Sequence, residues 1–193
     1  MKSSYVLGIC GHAGAGKDMV ADYLVKMLDF RRLAFALPIK KIAHEYFLVN
    51  WNDLERSDKP EKVRKLLQML GTEVGRAFDP DIWVDHMRDN ILEAPYKSIV
   101  ITDVRFPNEA QMLVDDFNAD LILVRRPNNP NIGKKMMEHA SETSIGEIPF
   151  DLFRTAFLNI EGQQGAVLQE VLLNVKEWVR CHDSRTNPDS DKS

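Results

Sequence analysis

The chain is poor in cysteine: its 193 residues include only Cys10 and Cys181, at opposite ends, with Cys10 inside an apolar run. A domain of this length buries roughly two thirds of its unfolded surface without covalent staples. A disulfide framework is therefore not needed, and reduced thiols in a reducing, cytoplasmic compartment are expected. Long apolar runs are also lacking. No stretch approaches the ~20 residues of a membrane span, and Tyr5–Cys10 is too short for the apolar segment of a signal peptide and leads into glycines rather than a cleavage site. Cations are not in excess either: 25 Lys and Arg stand against 29 Asp and Glu, a net charge of −4, whereas binding to a phosphate backbone usually asks for a basic domain. Membranes and nucleic acid are thus set aside as partners. There is no internal repeat and no linker that would divide the chain.

What is present is an alternation of short apolar runs with longer stretches of helical period. Strands are predicted at Tyr5–Cys10, Leu33–Phe35, Ser98–Thr102, Leu121–Val124 and Ala156–Ile160, most of them apolar on both faces, as in a parallel sheet covered on both sides. Between them, Val20, Tyr23, Leu24, Met27 and Leu28 recur at i, i+3, i+4, i+7 and i+8, and Ile39, Ile42, Ala43, Tyr46 and Phe47 repeat the pattern after Pro38. Further helices are predicted around Val63–Val74, Trp83–Ile91, Ala110–Phe117 and Val167–Val179. The fold class is α/β, with about five parallel strands, helices on both faces and one domain over residues 1–181. Residues 126–149 are polar, hold Pro127, Pro130, Gly133 and Gly146, and are long for a loop, which suggests a small lid. Residues 182–193 have no apolar member and are expected to be a disordered tail.

The chemistry is concentrated at Gly11-His12-Ala13-Gly14-Ala15-Gly16-Lys17-Asp18, a G-x-x-x-x-G-K pattern directly after a predicted strand and before an amphipathic helix. Glycines let the backbone curl around a phosphate chain with its N–H groups inward, Lys17 supplies charge to the β- and γ-phosphates, and the helix adds its N-terminal dipole. Gly11, Ala13, Gly14, Ala15, Gly16, Lys17, Asp18 and Met19 are therefore the predicted ATP-binding residues. Asp18 stands where Ser or Thr usually places a hydroxyl on Mg²⁺, and Met19 has none to offer. Asp18 could hold the metal, act on the phosphoryl acceptor or cap the helix. Its charge beside a triphosphate requires Mg²⁺ or an arginine as an offset.

At 100° per residue, Val63, Leu66, Leu67, Leu70 and Val74 form a core stripe, and Arg64, Lys65, Gln68, Gly71 and Thr72 fall on the arc beside it. Two cations, an amide, a hydroxyl and a glycine on one side suit a phosphorylated ligand; a solvated face is the plain alternative. Asp103 and Arg105 follow the strand Ile99-Val100-Ile101, and ligands of open α/β sheets bind beyond such strand ends. Asp103 is a candidate metal partner, base or sugar acceptor, and Arg105 an anion clamp. The lid candidate carries Arg125, Arg126, Lys134, Lys135 and His139, charge suited to a transferring phosphoryl group. His139 and Glu142 lack a further partner at zinc-ligand spacing. Trp83 is either core or a stacking platform for a base.

Taken together, Gly11–Asp18, Arg64-Lys65-x-x-Gln68-x-x-Gly71-Thr72, Trp83, Asp103-x-Arg105, Val124-Arg125-Arg126-Pro127 and His139-x-Ser141-Glu142 resemble the bacteriophage deoxynucleoside monophosphate kinases over most of the chain up to about Val179. The resemblance implies the three-layer P-loop kinase fold. It also implies transfer of the ATP γ-phosphoryl group, with Mg²⁺, to a deoxynucleoside monophosphate, giving the diphosphate for phage DNA synthesis in the host cytoplasm. On that basis Asp18, Arg64, Lys65, Gln68, Gly71, Thr72, Trp83 and Asp103 bind the monophosphate, all but Asp18 and Asp103 within a helical region spanning residues 38–92. Lys17, Asp18, Arg105 and Arg126 are catalytic, and Asp18 and Asp103 are the Mg²⁺ candidates. The family often has Thr where Met19 stands. A P-loop kinase of another metabolite, such as dephospho-coenzyme A or a sugar acid, is the nearest alternative, and a nucleotide-binding switch without turnover a more distant one. A homodimer is possible.

Overall fold

The computed structural model describes residues 5–56, 58–94, 98–127 and 140–186. Strands β1 (Val6–Cys10), β2 (Arg31–Leu33), β3 (Ile99–Val104), β4 (Asp120–Arg125) and β5 (Phe153–Leu158) form one parallel sheet in the order β2-β3-β1-β4-β5. All five residues of β1 are buried, because it lies between β3 and β4 with helices on both faces. Parallel neighbours need crossover connections, and the helices supply them: α1 (Lys17–Leu28), α2 (Leu37–Phe47), α3 (Trp51–Glu55), α4 (Glu61–Gln68), α5 (Ile82–Leu92), α6 (Pro107–Phe117), α7 (Ala140–Thr143) and α8 (Gln164–Thr186). On one face Leu7, Ile9, Val100, Ile122 and Val124 of the sheet pack with Val20 and Leu24 of α1 and Val171 and Val175 of α8. On the other, Val6, Ile99, Ile101 and Leu121 pack with Trp83 and Met87 of α5 and Leu113 of α6. A third small cluster, Ala43, Leu54 and Val63, closes the helical region between β2 and α5.

The five predicted strands and their covering helices are all present, and the differences are instructive. The second strand ends two residues earlier than expected because the N–H groups of Phe35 and Ala36 turn to the Asp103 carboxylate, each at 2.9 Å, instead of continuing the ladder. Tyr46 and Phe47, expected on the core face of α2, are exposed, since that helix's last turn overhangs the small third cluster. Met27 at the end of α1 is likewise exposed.

The largest departure follows Gln68, where α4 passes into a π-helix, Met69–Arg76. A π turn holds about one more residue than an α turn, so the 100° arc predicted for this segment fails beyond Gln68. Val74, expected on the core stripe, is 56% exposed, and Gly71 and Gly75 are buried in its stead. A Cβ at Gly75 would lie 2.5 Å from the Trp83 ring and one at Gly71 3.0 Å from Ile39 Cδ1, so backbone fills the space that side chains would otherwise occupy.

At the C-terminus, α8 continues five residues past the expected boundary. His182 meets Tyr5 edge-on at 5.6 Å between ring centroids, and Ser184 Oγ donates to the Arg180 carbonyl at 2.9 Å, so residues 182–186 are helical rather than a structureless tail. The remaining tail, residues 187–193, lies outside the described residues.

Candidate active site

The loop between β1 and α1 opens at the centre of the sheet's carboxyl edge. Its shape depends on Gly11, Gly14 and Gly16, whose φ values of 144°, 75° and 100° favour glycine. Gly11 has a second reason: a Cβ there would meet the Val124 carbonyl at 2.3 Å. The Ala15 N–H donates to the His12 carbonyl at 3.1 Å, and no side chain caps α1. The first-turn N–H groups of that helix thus stand at the loop as a ready anion site.

Lys17 is buried beneath the loop, where its ammonium donates to the carbonyls of Gly11 (2.6 Å) and His12 (2.9 Å). Neighbouring Asp18 is 75% exposed and pairs with Arg32 of β2. The same guanidinium reaches Asp22 Oδ1 at 2.8 Å and Thr102 Oγ1 at 3.3 Å. It thereby ties the start of α1 to the end of β3, where Asp103 and Arg105 are located. Asp103 gives one carboxylate oxygen to the Phe35 N–H and the other to the Ala36 N–H. Its contact with substrate or metal would have to use the remaining lone pairs. Arg105 follows β3 directly, with its backbone N–H on Glu109 Oε2 at 2.7 Å.

The polar arc divides. Lys65 faces solvent and pairs with Glu61 at 3.1 Å. Arg64 is half-buried, and its charge acts on Lys59, as do those of Lys40, Glu55 and Asp18. Burial, and then the charge of Lys40, hold the Lys59 ammonium below the usual lysine range, while Glu55 and Asp18 act in the opposite sense. Lys59 Nζ donates to the Arg56 carbonyl at 2.7 Å, and Lys40 pairs with Glu55 at 3.0 Å. Gln68 and Thr72 are partly buried, and Gly71 is in the core. Trp83 is 5% exposed, and its indole N–H donates to the Gly71 carbonyl at 2.7 Å. The ring is a packing element beneath the acceptor helices, not an open platform for a base, because its face is buried and its donor committed.

On the opposite flank, Arg126 follows β4 and reaches toward Glu161 at 3.6 Å. Lys134, Lys135 and His139 lie outside the described residues. Cys10 ends β1 with a thiol that burial, and then the charge of Glu109, push above its ordinary range, so it stays protonated and inert.

Besides Arg32, three groups that sequence reasoning missed adjoin these residues. Asn159, just after β5, is buried and donates from Nδ2 to the Ala15 carbonyl at 2.9 Å, while its Oδ1 has no partner among the described residues. Arg76, at the end of the π-helix, pairs with Glu109 of α6 and stacks its guanidinium 3.8 Å from the Phe106 ring centroid. Glu109 also accepts from the N–H groups of Arg105 and Phe106. Burial pushes its carboxyl up to about 7 against the pull of Arg76 and those N–H groups. The signal for Glu109 was available, since an acid three residues past the start of a helix is a familiar cap. Arg32 and Asn159 carried no local signal. Away from the site, a hollow of about 450 Å3 lined by Asp79, Asp81, Asp85, Asp115 and Asp116 has the wrong charge for a nucleotide.

A sequence model of the deoxynucleotide monophosphate kinase family matches residues 48–148. A protein of Acanthamoeba polyphaga mimivirus, named provisionally as a deoxynucleotide monophosphate kinase, is 31% identical, the match covering 63% of this chain and 74% of that one. The deoxynucleoside-5'-monophosphate kinase of Escherichia phage T5 is 26% identical over 61% of this chain and 75% of its own. Among solved structures, dephospho-CoA kinase from Campylobacter jejuni superposes with a TM-score of 0.50 at 12% identity, covering 91% of this chain and 97% of that one. Shikimate kinase from Acinetobacter baumannii gives 0.51 at 11% identity, covering 91% and 95%. The two superpositions establish the P-loop kinase fold, and the family model covers most of the helical region.

Proposed function

This chain belongs to the deoxynucleotide monophosphate kinase family, and from that premise we propose that it transfers the γ-phosphoryl group of ATP to a deoxynucleoside monophosphate, giving ADP and the deoxynucleoside diphosphate. The observation that carries the reading is the loop over residues 11–18, with its positive-φ glycines, an uncapped helix N-terminus and Lys17 poised beneath it. When the donor enters, the ammonium of Lys17 exchanges the Gly11 and His12 carbonyls for the β- and γ-phosphate oxygens, and the loop N–H groups take the remainder.

Arg64, Gln68, Gly71 and Thr72 line the acceptor side on this reading, in the helical region of residues 38–92. Trp83 and Asp103 act through the backbone they hold: Trp83 fixes the Gly71 carbonyl, and Asp103 fixes the turn from β2 into α2. The acceptor phosphate is already ionised near pH 7, so alignment and charge stabilisation can supply the acceleration without a strong base. Arg105 and Arg126, at the ends of β3 and β4, neutralise the moving group on this reading. Of the expected lid over residues 126–149, residues 128–139 lie outside the described residues, and Ile145 and Ile148 at its end are buried rather than part of a cover.

Asp18 has the chemistry to hold Mg²⁺, as an exposed hard carboxylate beside the loop. Asp103, with both oxygens already accepting N–H groups, is suited to an outer contact. Bound Mg²⁺ supplies charge neutralisation on the bridging phosphate oxygens. Among the described residues no helix is long and apolar enough to cross a membrane. The product suits deoxynucleotide supply for viral DNA synthesis in a host cytoplasm.

The test is Mg·ATP-dependent ADP release with dAMP, dGMP, dCMP, dTMP and dUMP beside AMP, GMP and buffer. Release that requires a deoxynucleotide is the expected result. Release without acceptor, or none despite tight ATP binding, would overturn the acceptor assignment.

A further inference from the structure

We infer that Arg32 binds the acceptor phosphate, and that Asp18 and Asp22 hold it at the site until the monophosphate arrives. The inference rests on the reaction proposed above.

Arg32 lies in β2 opposite Val100 of β3. Its guanidinium crosses from the sheet to the first turns of α1, with Nη1 on Asp22 Oδ1, Nη2 on Asp18 and Nη2 near Thr102 Oγ1. Asp18 and Asp22 stand one turn apart, so one guanidinium is shared between two carboxylates. As a fastener of β2 this would be weak, because the three side chains are 36%, 75% and 70% exposed and water screens such pairs. The strand is already fastened by its ladder to β3 and by the Asp103 clamp on the residues that follow.

What the arrangement does provide is a planar, five-donor cation held on Asp18, the residue next to Lys17, and matched to a bidentate oxyanion. A phosphate monoester dianion carries more charge than either carboxylate and outcompetes an exposed pair for the same fork. Asp18 is also felt by Lys59, which is in turn acted on by Lys40 and Arg64. Cations from α2, the segment before α4 and α4 itself thus act on one another through Lys59, which also feels the carboxylate beside the phosphate loop. Their mutual repulsion is relieved when an anion is received among them. The exchange has a second effect: Asp18, released by Arg32, is freed to turn toward the loop when the acceptor binds.

The experiment is titration calorimetry of the full chain with dAMP, dGMP, dCMP and dTMP, with the matching deoxynucleosides and with ATP, together with thermal midpoints. Wild type, Arg32→Gln, Arg32→Lys and Asp22→Asn are compared. Arg32→Gln is expected to weaken the best-bound monophosphate at least tenfold, to leave deoxynucleoside and ATP affinities within twofold, and to raise the acceptor KM more than it lowers kcat. Arg32→Lys, which keeps the charge but not the fork, loses part of that affinity. Asp22→Asn binds the monophosphate at least as tightly as wild type. If instead the Arg32 and Asp22 variants lose thermal stability together while the ratio of monophosphate to deoxynucleoside affinity stays constant, Arg32 is a fastener and the inference falls. Wild type that phosphorylates a monophosphate, with Arg32→Gln binding it equally well, overturns the role of Arg32 alone. Wild type that binds none of the four overturns the proposed reaction and this role with it.

Discussion

The indole N–H of Trp83 donates to the carbonyl of Gly71 across 2.7 Å, joining α5 to the π-helix at the place where that helix presents its buried glycines. A π turn leaves backbone groups poorly spaced for its own ladder, and here one carbonyl is satisfied by a side chain from another element. Trp83→Phe keeps most of the packing but strands that carbonyl, for a loss of about 1–3 kcal/mol in unfolding free energy. Gly75→Ala places a methyl group within 2.5 Å of the same ring and is expected to cost about as much through overpacking. Denaturant unfolding of both variants checks the expectation, and a raised acceptor KM should accompany each.

Lys17→Ala removes the one ammonium beneath the phosphate loop. By analogy with loss of a single preorganised donor in other active sites, kcat should fall at least about 10²-fold. The fold should persist, since the core packing on either side of the sheet is untouched. Steady-state kinetics and a thermal midpoint measured on the same preparation separate the two effects.

Lys65→Ala and Arg64→Ala are adjacent substitutions with opposite expected outcomes. Lys65 is exposed and pairs with Glu61, so its removal should leave acceptor KM within about twofold. Arg64 is half-buried and acts on Lys59, which also feels Asp18, and its removal should raise acceptor KM about tenfold or more. Equal effects in the two variants would contradict the assignment of Arg64 to the site.

Glu109 makes stability depend on pH in a defined window. Its folded value, about 7, lies above its ordinary 4.5, so protons favour the folded state. The contribution is full below about 4.5 and is lost as pH rises through about 7, a change of about 3 kcal/mol. Glu109→Gln should remove that slope. Below about pH 5, where Glu109 is itself neutral, the variant should stay close to wild type, so the two stability curves separate only as pH rises. Denaturant titrations at pH 5, 6, 7 and 8 give the comparison.

Asn159→Ala should weaken ATP binding about tenfold, equivalent to ~1.4 kcal/mol, by releasing the Ala15 carbonyl that the amide holds away from the phosphates. Asn159→Asp should be worse, since it sets a second acceptor against that carbonyl. Calorimetric titration with ATP distinguishes the series.

Much of the fold and the donor side of the site could be read from the sequence because both depend on local patterns. Strand β1, the glycine loop and α1 are contiguous, and each has a characteristic residue spacing. The acceptor side was legible only as far as the α-helical period held. Past Gln68 the period changes, and a 100° wheel misplaces Val74 and Gly75. Trp83 could be seen as core or platform, and only the position of Gly71 and Gly75 against its ring decides between them. Arg32 could not be found from its neighbours at all. Its partners Asp18 and Thr102 are 14 and 70 residues away, brought together by strand order, which no local pattern encodes.

The strand order also governs when the site can exist during synthesis. β1 is made first, yet its partners β3 and β4 are the segments Ile99–Val104 and Asp120–Arg125. At ~5–20 residues per second on the ribosome, five consecutive core residues wait on the order of 5–25 s for either neighbour. The nascent chain therefore carries its nucleotide loop on an unpaired, apolar ribbon for about half of its translation. That interval is when chaperone capture or aggregation would compete with folding, and slower synthesis of residues 30–98 would lengthen it.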